Sequence, residues 1–348
     1  MKRAIAIVTV AFVMLVCATR EVWSWGKDGH RTVGMIADIL LEQRPASRDR
    51  VKQILGDNSL SEVSLWADCA KGYRVCQRPA SDEEKAFTRE NRRHHAFHYT
   101  DVPIAQSQYR AETAGTGRDD VVQVMQHAIK VLQGKTPKDG PAVLNQREAL
   151  WLLVHLVGDI HQPLHIGAIY FDGQCAEAVD PNVAGAGQPD FGIGTTVVST
   201  AGGNDLKISK SKSLHSYWDS DTVKGAMRLL DIRNKSIEDF ARAIISSRPT
   251  AWKMTGNPDT WPTQWATEAM PLAKAALTRV HIGEGAPANG GHGKCTWPIA
   301  IDRAYTQWAN QQALAQLGKA GFRLAELLQA IFEGEAEEPA YTGSVPRR

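Results

Sequence analysis

The segment Trp151-Leu-Leu-Val-His155-Leu-Val-Gly-Asp159-Ile-His161-Gln-Pro163-Leu-His165 constrains this chain more than any other. His155 and Asp159 stand i, i+4 and project from one helix face. Pro163 then ends the helix and turns His165 towards a different point in space. An isolated pair of this kind is usually a plain His–Asp contact. Here the surrounding Trp, Leu, Val and Ile side chains would bury three imidazoles and a carboxylate at high cost unless something compensates them. Imidazole and carboxylate at this spacing are good zinc ligands, and metal coordination would supply that compensation.

A second pair, His215 and Asp219 in Ser213-Leu-His215-Ser-Tyr-Trp-Asp219, repeats the geometry. Two such helices facing each other can hold zinc in a bundle core. Trp66-Ala67-Asp68 offers another carboxylate and His98-Tyr99-Thr100-Asp101 another imidazole, each weak alone. His161 lies off the ligand face and reads as structural. His94 and His95 follow Arg92-Arg93 in a basic loop, which reads as a solvated face ahead of a contact to a nucleic-acid backbone. His127, His281 and His292 have no partner visible in the sequence.

The N-terminus begins with Met1-Lys2-Arg3 and an uncharged run from Ala4 to Ala18. That run of about 15 residues is short of the roughly 20 needed to cross a bilayer, so it reads as a secretory signal. Val22 and Ser24 suit the −3 and −1 positions of a cleavage site, which places a signal peptide at residues 1–24 and one domain at 25–348. Cys17 lacks the preceding small residue of a lipoprotein signal, so no membrane anchor is expected after processing. Cleavage before Trp25 would free an α-amino group beside His30, and an amine with its adjacent carbonyl can chelate a metal. Removing the signal takes the formal charge from +2 to neutrality. A protein that grips nucleic acid through many Lys and Arg contacts usually carries a basic balance, so phosphate recognition must be local. A secreted or periplasmic location follows, as does the expectation that Cys69, Cys76, Cys175 and Cys295 form disulfides. Four cysteines allow three connectivities. The expected pairing closes a small loop with Cys69 and Cys76 and joins Cys175 to Cys295.

Helical periodicity is strongest over Thr32 to Leu41, Val121 to Leu132, Arg147 to Ile160, Ile232 to Ile245 and Ile299 to Phe332. Thr195 to Thr200 and Leu206 to Ile208 suggest a short hairpin around Ala201-Gly202-Gly203-Asn204. Long loops at Asp172 to Gly194 and Gly283 to Lys294 each touch one cysteine of the second pair. The expected class is mainly α, one helical domain with a short β-hairpin and a zinc cleft.

Together these segments resemble the zinc-dependent single-strand-specific nucleases of the S-one/P-one type and, more distantly, the trinuclear-zinc phospholipases C. The resemblance runs from Trp25-Gly-x-x-Gly-His30 through Trp66-Ala-Asp68, His98-Tyr-x-Asp101, His155-x-x-Gly-Asp159-x-x-Gln-Pro-Leu-His165 and Gly202-Gly-Asn204 to Leu214-His215-x-x-Trp-Asp219. Gln316 to Ala325 resembles the family's closing helix, so nearly all of the mature chain is covered.

The resemblance implies a helical phospholipase C/nuclease fold and three zinc ions. One would be held by Asp68, His98, His155 and Asp159. Its close partner would take the Trp25 amine and carbonyl, His30 and the other oxygen of Asp159. The third would sit on His165, His215 and Asp219. Adjacent zincs acidify a shared water into a nucleophile, and a third can stabilise a leaving 3′-oxygen. Tyr99 and Asp101 match the family's base-binding positions, and stacking on Tyr99 needs an unpaired base. The implied activity is hydrolysis of single-stranded DNA and RNA to 5′-phosphate products, with 3′-nucleotides as further substrates, by a monomer. Asp68, Lys71 and Asp159 are the expected catalytic residues, Lys71 also touching substrate. Lys71 stands where many relatives carry Arg and lacks its bidentate fork. Ser213 stands where relatives often carry Asn. Two rivals remain: a phospholipase C, against which Asp219 and Asp101 argue, and a zinc-binding protein without turnover, which would need neither an open coordination position nor a base pocket.

Overall fold

A computed structural model describes residues 25–72, 76–135, 139–183, 197–232, 236–247, 252–287 and 295–333, so the expected signal at 1–24, Thr195 and His292 lie outside the described residues. The helices are α1 (Lys27–Leu41), α2 (Pro45–Leu55), α3 (Leu60–Val63), α4 (Trp66–Cys69), α5 (Asp82–Glu90), α6 (Val121–Leu132), α7 (Gln146–Ile160), α8 (Leu214–Leu229), α9 (Ile237–Ser246), α10 (Trp261–Thr278) and α11 (Arg303–Glu333). The central one is α7. Asn145 caps it through a capping box with Glu148, and every residue from Ala149 to Ile160 is buried. A helix apolar on all sides must be surrounded; α6 covers one side, α1, α3 and α4 another, and α11 closes over α1, α7 and α8.

Short strands join the helices. β1 (Val102–Pro103) pairs in parallel with β2 (Gly167–Ala168), and β3 (Tyr170–Asp172) pairs antiparallel with β4 (Val197–Ser199). A five-stranded sheet carries β5 (Leu206–Ser209), β6 (Lys212–Ser213), β7 (His281–Ile282), β8 (Ala286–Pro287) and β9 (Cys295–Ala300) in the order β6-β5-β9-β7, with β8 also on β9. The mainly helical single domain expected from sequence is thus observed.

Three local expectations are corrected. The hairpin across Ala201–Asn204 does not form: β4 pairs with β3 and β5 with β6 and β9, and the segment between them runs through Ala201, Gly202 and Gly203 at positive φ (48°, 55° and 79°). The run from Ile299 opens as strand: β9 alternates buried and exposed residues to Ala300, and α11 starts at Arg303. The helix expected from Ile232 starts at Ile237, where Ser236 and Asp239 form a capping box. Asp231 just before it sits at φ 55°, which ends the preceding helical turn. The cysteines pair as expected, Cys69 with Cys76 and Cys175 with Cys295, at Cα separations of 5.3 and 5.8 Å. Among the described residues, no helix is long and apolar enough to cross a membrane.

Candidate metal centre

Three buried groups of His and Asp side chains converge where α1, α4, α7 and α8 meet: His30, His155 and Asp159; Asp68, His98 and His155; His165, His215 and Asp219. His155 and Asp159 lie one turn apart on α7. A 3₁₀ turn over Pro163–His165 redirects His165, as Pro163 predicts. His98 ends another 3₁₀ turn, His94–His98, and His30 lies in the first turns of α1.

The two oxygens of Asp159 divide between two groups. Oδ1 lies 3.3 Å from His30 Nε2, while Oδ2 lies 3.0 Å from His98 Nδ1 and 3.3 Å from His155 Nε2. Asp68 Oδ1 closes the second group at 3.5 Å from His155 Nε2 and 3.8 Å from His98 Nδ1. This is the arrangement expected of a carboxylate bridging two adjacent cations. His30 and His155 stack with ring centroids 3.8 Å apart. The stack needs a glycine at 158, since a Cβ there would stand 2.7 Å from His30 Nδ1.

Backbone carbonyls settle the tautomers. His155 Nδ1 donates to the Ser64 carbonyl at 2.7 Å, His165 Nδ1 to the His98 carbonyl at 2.7 Å, and His215 Nδ1 to the Gly202 carbonyl at 2.8 Å. A carbonyl can only accept, so each ring presents a lone pair at Nε2. The Nε2 atoms of His165 and His215 then face each other at 3.1 Å, lone pair to lone pair. Asp219 Oδ2 approaches at 3.8 Å from His215 Nε2, and no hydrogen bond among the described residues satisfies it. Facing lone pairs and an unsatisfied buried carboxylate oxygen are unfavourable without a cation and are what a cation takes as ligands. The residues therefore fit a metal ion, and the His and Asp donor set suits zinc.

Electrostatics agree for most of the donors; at His155 burial opposes protonation, but Asp159 and Asp68 outweigh it and raise the ring above its usual value, so a cation there would have to displace a proton. Burial, reinforced by Lys71, lowers His98 to about 3. Burial and His165 lower His215 to about 3, and burial with His155 lowers His30 to about 4. These imidazoles are neutral ligands near neutral pH. Burial opposes ionisation of Asp68, but Lys71 and His155 outweigh it and hold the carboxyl below the usual range. For Asp159 the same burial is outweighed by His155 and His165. Burial pushes Asp219 well above the usual range, so it needs a countercharge to ionise.

Around the donors stands a layer of supporting residues. Gln162, fully buried, donates from Nε2 to Asp219 Oδ1 at 2.8 Å and accepts the Leu164 N–H at 2.6 Å. Lys71 Nζ pairs with Asp68 Oδ1 at 2.9 Å. Ser213 caps α8, the helix that carries His215 and Asp219. Trp25 is fully buried, and the next residue, Gly26, donates its N–H to the Asp219 carbonyl at 2.7 Å, bringing the start of the domain beside the third group. His161 is structural as expected: Nδ1 donates to the Val157 carbonyl at 2.8 Å, and Nε2 accepts from Arg323 of α11 at 3.0 Å.

Tyr99, 37% exposed, follows His98 directly. Asp101 is buried nearby, raised to about 7 by burial despite contacts from Ser199 and the Gly202 backbone. His94 is buried as well, contrary to its placement on a solvated loop, with its ring edge-on to Phe87 at 5.8 Å. The Ser64 carbonyl and Ser199 carry no sequence signal that marks them as site residues, and Gly202 had one only as part of the Gly202-Gly-Asn204 motif. Gln162 had one, its place beside Pro163, but its link to Asp219 is tertiary.

A fold that buries three such groups in one helical body defines a class of protein able to hold a cluster of cations. The description S1/P1 nuclease matches residues 25–333, and the chain belongs to that family. Endonuclease 2 of Arabidopsis thaliana is 24% identical over 344 residues, covering 94% of this chain and 97% of the relative. Endonuclease 1 of the same plant is 23% identical over 345 residues, covering 94% of each. Nuclease S1 of Aspergillus oryzae is 25% identical over 215 residues, covering 59% of this chain and 56% of the relative.

Proposed function

We propose that this chain is an exported, zinc-dependent phosphodiesterase that hydrolyses single-stranded DNA and RNA to 5′-phosphate products and also acts on 3′-nucleotides. The observation that carries the reading is the division of Asp159 between two His groups, with a third group formed by His165 of the turn after α7 and His215 and Asp219 of α8. His30 and Asp159, with the Trp25 amine and carbonyl, would hold one zinc; Asp68, His98, His155 and Asp159 a second; His165, His215 and Asp219 a third. Zinc bound there supplies Lewis acidity, which acidifies water near neutral pH and neutralises charge on phosphorus.

The chain's own residues supply the rest. Asp68 and Asp159, held ionised, contribute anionic donors, and Lys71 brings a point charge beside Asp68 for a phosphate oxygen. Tyr99 offers a partly exposed ring on which an unpaired base can stack. A base still in a duplex cannot reach it without leaving its stack, which is the preference for single strands. Asp101, close to half-protonated at neutral pH, can meet either a donor or an acceptor on a base edge.

The test is elemental analysis of protein beginning at Trp25, with hydrolysis of single-stranded DNA before and after chelation. About three zinc ions and chelator-sensitive cleavage are expected from this donor set. Zinc without cleavage of DNA, RNA or 3′-nucleotides would overturn the nuclease reading, and absence of zinc would overturn the mechanism.

A further inference from the structure

This inference rests on the nuclease reading and extends its substrate site. We propose that Arg93, fixed by Asp119 at the outer edge of the Tyr99 platform, binds the backbone phosphate flanking the nucleotide stacked on Tyr99. The site thereby favours polynucleotides over diesters that have no flanking phosphate.

Arg93 is presented side-on. Its Nε donates to Asp119 Oδ2 at 2.5 Å and its Nη2 to Oδ1 at 3.2 Å. The Asp119 side chain is only 12% exposed, while that of Arg93 is 79% exposed. Using the Nε edge for the carboxylate leaves the Nη1 hydrogens and the outer Nη2 hydrogen facing outward. An exposed ion pair of this kind contributes little to stability. Its physical effect is to hold a planar cation in one orientation, which lowers the ordering cost of binding an anion.

Both partners are tied to Tyr99. Arg93 caps the 3₁₀ turn His94–His98 that leads into Tyr99. Asp119 lies two residues before Val121, whose N–H donates to the Tyr99 carbonyl at 3.2 Å. The charges of Arg93 and Asp119 both act on the Tyr99 hydroxyl. A nucleotide inside a chain has a phosphate on each side. With one phosphate at the His and Asp groups and the base on Tyr99, the other phosphate is the one assigned to Arg93, whose charge acts on the Tyr99 side chain. Arg92 adds a second exposed cation in the same turn. Contacts of this kind position a strand without reading its sequence.

The test compares Arg93→Ala with the parent zinc-loaded protein on a single-stranded decanucleotide and on a dinucleoside monophosphate, which has only the scissile phosphate. On the decanucleotide, kcat/KM should fall about tenfold at low salt, the size expected for one charge-assisted contact. The dependence of log kcat/KM on log salt should become shallower by about 0.7, the value for one single-strand phosphate. Turnover of the dinucleoside monophosphate should stay within about twofold, since no contact to it is lost. Equal losses on both substrates would overturn the proposal, because the damage would then lie in the shared cleft. Unchanged decanucleotide cleavage would overturn it too, with the nuclease reading intact. If the parent protein cleaves neither substrate, the nuclease reading itself fails.

Discussion

With Gln162 Nε2 on Asp219 Oδ1 and its Oε1 committed to the Leu164 N–H, the third group depends on a side chain outside the His and Asp set that could hold a metal. Gln162→Leu should weaken zinc affinity at that group by about 10- to 100-fold, as outer partners of metal ligands do. Competition with a chromophoric chelator reads this directly, and a loss spread evenly over all three zincs would contradict it. Tyr99→Ala tests a different link. It should lower kcat/KM on single strands by about 5- to 100-fold, the worth of one stacked base, while zinc content stays unchanged. At this scale the sequence was informative because ligand chemistry needs particular side chains: His155, Asp159, His215 and Asp219 stand out as imidazoles and carboxylates in apolar surroundings. The tautomers were not legible, since the Ser64, His98 and Gly202 carbonyls that fix them act through backbone atoms.

Helix α7 shows why whole elements were partly legible. Its apolar run, its Asn145–Glu148 capping box and its stop near Pro163 are local features, and the observed helix differs from the expected one by a single residue at its start. The strands were harder. β4 and β5 are both present, yet their partners are fixed by the turn between them and by β9, which lies about 90 residues further along the chain. Gly158 carries a prediction at this scale. Gly158→Ala would press a methyl against the His30 ring. That strain within α7 should cost about 1–3 kcal/mol and disturb the stacked pair, read as a lower urea midpoint together with weaker zinc binding. An unchanged midpoint and affinity would show that His30 can yield without cost.

Acid stability belongs to the whole molecule. Burial, with His95 and Lys71 adding to it, lowers His94 to about 4, and burial beside Arg323 lowers His161 well below its usual value. Between pH 4 and 6.5 the unfolded chain therefore binds protons at these histidines that the folded chain does not. Stability rises with pH across that window and is lost as pH falls through it. For His94 the effect is at most about 3 kcal/mol when complete, less where solvent screens the ring. Metal-free protein should lose thermal stability as pH falls from 6.5 to 4, and His94→Gln should flatten the slope. An identical slope in the variant would remove His94 from the account. Asp159 has the widest reach at this scale. Because one carboxylate faces two groups, ions bound at the two would share a single anionic donor, and whatever one does to the affinity of the other is returned in equal measure. A change at Asp159 would therefore be felt at both groups at once, where a change at His30 or Asp68 begins at one of them.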